Sequence, residues 1–114
     1  GAVMERNLYI AQRLSAMLLA PLVLVHLLLI MYAVRQGLTA DAILGRTQGS
    51  LGWAAFYSLF VLAAAVHAPI GLRNVLIEWT PVSRRLIDWA MVLFGVVLVA
   101  MGARAVVAVI GGPL

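Results

Sequence analysis

The chain has no cysteine, no lysine, only four acidic side chains and no long polar stretch. Without cysteine there is no disulfide, no thiolate chemistry and no iron–sulfur cluster ligated by this chain. A metal would have to be held by His, Asp, Glu or carbonyl groups, and there are only two histidines. No GxGxxG or comparable nucleotide motif occurs, so flavin or nucleotide binding is not expected of these residues. What the sequence has in excess is apolar surface. Of its 114 residues 65% are hydrophobic and 11% charged, against about 45–50% and about 25% in a soluble domain. That balance reads as an integral membrane protein.

Three apolar segments, Leu14 to Val34, Leu51 to Ile77 and Leu86 to Ile110, each reach the length of about 20 residues that crosses a hydrocarbon core of about 30 Å as a helix. The expected fold is all-α, with three transmembrane helices over about residues 8–35, 50–79 and 81–110 in one domain, 1–114, with no repeat or linker. The first segment is too long for a secretory signal and lacks a small-residue cleavage site, so it is expected to remain in the mature protein. The sequence opens on Gly1, and Met4 is a candidate native start.

The net charge of +4 is entirely arginine, and with no soluble domain to carry a basic patch it reads as a topology signal, not a nucleic-acid footprint. Arg6 and Arg13 precede the first span, and Arg84 and Arg85 separate the second from the third. Arg35, Arg46 and Arg104 fall on the other side with Asp41. The positive-inside rule then puts the N-terminus in the cytoplasm. In the first loop, Thr39 is expected to cap a short surface helix, Gly45 and Gly49 to break it, and Ser50 to cap the second span. Thr80 before Pro81 is expected to start the third, with Asp88 in an early turn. Trp53 and Tyr57 at one end of the second span, and Trp79 and Trp89 at the other, suit interfacial belts.

The stretch HAPIGLRNVLIEW, residues 67 to 79, places costly groups in or against an apolar run. At 100° per residue, Phe60, Gly71, Asn74 and Glu78 all fall within about 40° of His67 on one helix face. His67 lies about 16 Å inside the helix end marked by Glu78, close to the bilayer centre. An imidazole at that depth is either hydrogen-bonded to a neighbouring helix or functional. Gly71, four residues on, leaves a gap in side-chain cover of the kind a flat macrocycle needs. Arg73 sits about 120° away and can snorkel toward headgroups or meet a carboxylate. Pro69 is expected to bend the helix beside His67. On the first span, Gln12, Ser15, Leu19 and Leu22 share a face with His26, which lies about 20 Å from the Arg13 end, a depth expected to be near that of His67. His26 is a core histidine or a ligand. So much small-residue and polar surface on three helices calls for a partner in the membrane.

HAPIGLRNVLIEW resembles the second-helix signature of the cytochrome b membrane-anchor subunits of succinate dehydrogenase and fumarate reductase. It has the His, the Gly four residues later, the following Arg and the acidic–aromatic pair. AQRLSA, residues 11 to 16, is similar to the start of that family's first helix, and the three-span layout matches, so the likeness covers nearly the whole chain. The resemblance implies a place in a larger multi-helix haem-binding bundle, with His67 as an axial ligand of haem b and Gly71 beside the macrocycle. It implies Arg13 and Arg73 near a haem propionate, and a quinone, as substrate, at Arg13, Ser15, Glu78 and Trp79. His26 becomes a second axial ligand or a ligand to a second haem, or has no ligand role if two copies of the second helix supply both histidines. Trp79 stands where one anchor type carries a quinone-bonding Tyr, and an indole donates but does not accept. Gln12 stands where many large-anchor chains carry His.

The same resemblance implies flavoprotein and iron–sulfur partner subunits, a second membrane-anchor chain or another copy of this one, and a bacterial inner membrane. The expected function is a haem b anchor that docks those subunits and forms part of the quinone-reduction site of a succinate:quinone oxidoreductase, since the chain has no group for succinate chemistry itself. The alternatives are a non-catalytic assembly subunit and a small cytochrome b of another quinone-linked enzyme. From sequence, Arg13 and Trp79 are expected to meet at the cytoplasmic interface.

Overall fold

The computed structural model describes residues 1–111. The chain forms α1 (Ala2–Gln36), α2 (Ala40–Thr47), α3 (Leu51–Trp79) and α4 (Arg84–Ile110), with no strand among the described residues. α1, α3 and α4 are long and apolar enough to cross a membrane, and the expected all-α, three-span membrane architecture holds. α3 lies between the other two spans.

The helix ends follow from short-range chemistry. Gly37, at a φ of 105° that disfavours any side chain, stops α1. Thr39 caps α2 by accepting from Ala42 N–H at 3.1 Å, and Ser50 caps α3 by accepting from Trp53 N–H at 3.2 Å, both as the sequence predicts. Two expected boundaries are corrected. Gly45 does not break α2, which runs to Thr47; Gly49, at a φ of 74°, is the breaker. α4 starts at Arg84, not at Pro81, because Ser83 takes the cap by accepting from Leu86 N–H at 3.3 Å. Thr80 instead finishes α3, its hydroxyl and N–H both donating to Leu76 O. α1 also begins earlier than the sequence suggests, at Ala2.

The α1 stripe expected from periodicity is the face that packs. Ser15 and Leu19 are buried, and Gln12, Leu22 and His26 are half-buried. On the other side of α3, Val61, Ala65 and Pro69 recur every fourth residue and meet two glycines of α4. A Cβ on Gly95 would touch Ala65 O at 3.5 Å and Pro69 Cγ at 3.6 Å. One on Gly102 would overlap the side chain of Val61. Pro69 cannot supply an N–H to the carbonyl of Ala65, and α4 passes over that point at Gly95. α3 runs through Pro69 as a single helix.

At the far end the connection between α1 and α3 reaches across to α4. Thr47 Oγ1 donates to Val109 O at 2.7 Å, and Gly49 N–H donates to Ile110 O at 2.8 Å, satisfying two otherwise orphaned carbonyls of the last turn. The described chain still exposes 7915 Å², against about 6,100 Å² for a soluble monomer of 12.2 kDa. Broad apolar faces remain for lipid and for partner helices.

Candidate functional site

A fully paired polar cluster lies at the end of the bundle where α1 begins. Arg73 is 2% exposed. Its Nε donates to Asp88 Oδ1 at 2.6 Å, and its terminal nitrogens donate to Glu5 at 2.6 and 3.4 Å. The guanidinium fork suits this use, since it can hold one carboxylate with two nitrogens while its third points elsewhere. Arg84 adds a longer contact to Glu5 at 3.5 Å. One cation thereby ties α1, α3 and α4 together. Of the two uses the sequence allows Arg73, snorkelling or meeting a carboxylate, the structure has the second. Glu5 and Asp88 are its partners. Sequence reasoning gave Glu5 no role, and the only signal was that an arginine this near an apolar span needs an anion among so few.

Deeper in the bundle, His67 is half-buried and its Nδ1 is enclosed without a hydrogen-bond partner. α1 packs across the same face of α3, as the contacts of Phe60 and Gly71 with it show. The gap at Gly71 is met by Gln12, whose Nε2 lies 3.4 Å from where a Cβ would be. Gln12 Oε1 is itself buried and unpartnered. Ser15 is buried and its hydroxyl donates to Gln12 O at 3.0 Å. A cleft of about 280 Å³ between α1 and α3 is lined by Ser15 and by apolar side chains including Leu18, Ala63 and Val66. It is smaller than the range of about 300–1,000 Å³ usual for ligand pockets.

Several of the expected site residues are not gathered. Arg13 and Trp79 are both exposed. Gln12 is level with Gly71, and Trp79 lies eight residues, about 12 Å, further along α3. The apolar run from Leu14 suggests a helix that begins at Arg13, whereas the preceding residues of α1 carry Arg13 inward. Arg13 and Trp79 therefore occupy the same half of the bundle but not the same level. Glu78 is exposed beside Trp79.

His26 is placed differently from expectation. Its ring meets Phe60 at 5.2 Å and Tyr57 at 6.4 Å, edge-on in both cases. Those residues stand seven and ten positions from His67, so the two imidazoles differ in depth by roughly 10–15 Å. His26 Nδ1 is also buried and unpartnered. Among the described residues no group of three or more His, Asp or Glu side chains comes together.

Residues 3–104 match the succinate dehydrogenase/fumarate reductase transmembrane subunit family. The chain belongs to that family. The match spans all of α3 and most of α1 and α4, so both unpartnered histidines and the Arg73 cluster fall inside it. No curated protein and no solved structure matches the chain. Membership makes it a membrane subunit that associates with other subunits of such an enzyme.

Proposed function

We propose that this chain is the haem b-binding anchor of a succinate:quinone oxidoreductase, holding the flavoprotein and iron–sulfur subunits to the membrane and contributing to the quinone-reduction site. The observation that carries the reading is the His67 imidazole, near mid-membrane, whose ring Nδ1 is satisfied by no group among the described residues. A buried polar atom left alone costs about 1–3 kcal/mol; the enclosed one is Nδ1, so an iron held between chains would be met by Nε2, with Nδ1 bonded to a group of the assembled complex. Haem b, when bound, supplies one-electron storage between the soluble partners and the quinone.

The residues fit half of such a site. His67 can ligate iron, and Gly71 with the Gln12 amide can border the macrocycle. His26 lies too far along the bundle to face the same iron. The second ligand then comes from the second helix of another chain, a second anchor or another copy of this one. The α1–α3 cleft is narrow and exposed helix faces are plentiful, so the macrocycle is accommodated between chains. Arg73 would meet a propionate only by giving up Glu5, which makes Arg13 the readier partner. Arg13 and Ser15 would then border a quinone site completed by the partner, with Glu78 and Trp79, about 12 Å further along α3, nearer its entrance, and the N-terminal end in the cytoplasm.

A second reading is favoured by one observation. Gln12 fills the gap at Gly71, as expected of a non-catalytic assembly subunit that keeps the packing and holds no cofactor. The absorption spectrum of the purified membrane complex separates the two. The anchor reading expects reduced b-type bands that are lost in His67→Ala while His26→Leu retains them. Bands unchanged by His67→Ala would remove His67 from the ligand role, and their absence from the wild type would favour the assembly subunit.

A further inference from the structure

At the end of the bundle away from Arg73, a cavity of about 220 Å³ opens between α1, α2 and the first turns of α3. Its polar lining includes His26, Arg46, Trp53 and Tyr57, and its apolar flank is formed on α1 by residues such as Leu29 and Ile30. Arg46 is a cation with no carboxylate in ion-pair range among the described residues. Its guanidinium carbon lies 5.3 Å from the centre of the Tyr32 ring, which fixes its position without neutralising it. His26 adds a buried Nδ1 without a partner. Trp53 and Tyr57, stacked at 5.7 Å with 23° between their planes, make a firm wall.

Arg and Trp side chains only donate hydrogen bonds, and His and Tyr can also donate. This set, with a positive charge that no carboxylate of the described residues meets, is complementary to an anion that only accepts. The cavity lies where a membrane span meets the surface helix α2, the level at which lipid phosphates are found. Its α1 flank continues as apolar surface toward the bilayer centre, as an acyl chain requires. We propose that this cavity binds the phosphate group of an anionic amphiphile, with Arg46 as the charged donor and His26 as the deep one. The assignment is independent of whatever His67 holds.

The test uses the full membrane complex in nanodiscs of phosphatidylcholine, with or without phosphatidylglycerol, with retained lipid counted by native mass spectrometry. Wild type should keep phosphatidylglycerol selectively. Arg46→Gln should bind it at least about tenfold more weakly, the factor expected for loss of one charge-assisted hydrogen bond. Arg46→Lys should retain most of the binding, and His26→Leu should weaken it. Arg35→Gln, at the same end but outside the cavity lining, should leave it unchanged. Displacement of the lipid by added inorganic phosphate would assign the same anion site to free phosphate. Equal retention by wild type and Arg46→Gln, with both melting alike in phosphatidylcholine, would overturn the proposal, as would equal retention of the two lipids by wild type.

Discussion

Glu5 and Arg73, 68 positions apart in the chain, form a two-pronged ion pair that draws the first turns of α1 against α3. Asp88 holds the remaining face of the same guanidinium from α4. Arg73 is 2% exposed and Glu5 is 46% exposed, so the two ends of the pair differ in what their loss leaves behind. Arg73→Leu removes the shared cation and leaves two carboxylates facing each other. Asp88→Asn keeps a neutral acceptor on the better enclosed side, and Glu5→Gln does the same on the more open side. The expected order of lost thermal stability, read as melting temperature of the detergent-solubilised complex, is Arg73→Leu, then Asp88→Asn, then Glu5→Gln. The Glu5→Gln loss should also shrink as salt is raised, because an exposed partner is screened. Equal effects of all three would mean that the cluster does not share one cation.

Close approach of α3 and α4 depends on Gly102. Gly102→Ala places a methyl group into Val61 and should cost about 1–3 kcal/mol, the usual range for overpacking. Val61→Ala in the same chain should recover most of that loss. Gly95→Ala meets only ordinary van der Waals distances and should be nearly neutral. Unfolding of the purified complex distinguishes the three, and absence of rescue by Val61→Ala would place the contact elsewhere.

The start of α4 gives a sharper check on local chemistry. Ser83→Ala should cost about 0.5–2 kcal/mol by loss of a helix cap. Pro81→Ala should cost less, since residue 81 lies outside α4 and supplies no cap. The reverse ranking in melting experiments would restore the boundary expected from Thr80 and Pro81.

If Arg13 donates to the quinone head, Arg13→Ala should slow quinone reduction by about ten- to a hundredfold, the range for one hydrogen bond from a charged group. Reduction of a soluble dye by the partner subunits should continue at the wild-type rate. Equal loss of both activities would point instead to failed assembly.

Much of the fold was legible because it is written in local and periodic signals. The α1 stripe through Gln12, Ser15, Leu19 and His26 repeats at helical spacing, and Thr39 and Ser50 cap helices through atoms only three residues away. The start of α4 was misread because two hydroxyls, Thr80 and Ser83, compete within four residues, and pattern alone does not decide which one turns back. Glu5 escaped for a different reason. Its partner is fixed by how α1 lies against α3, and neither residue carries a periodic mark of that. Gly95 and Gly102 stand seven residues apart on one face of α4, but only the packing shows that α3 meets them there. The level of His26 against α3 depends on the same register between helices, which depth counted from separate helix ends does not supply.

The strap of α2 has a mechanical consequence. Thr47 and Gly49 fasten the tail of α4 at one rim, and Arg73 fastens all three spans at the other. Between those rims, among the described residues, no side-chain hydrogen bond or ion pair joins one span to another. With its ends clamped and its middle held by packing alone, the bundle meets any docking chain with its rims already set, and only the side chains around His67 are left to adjust.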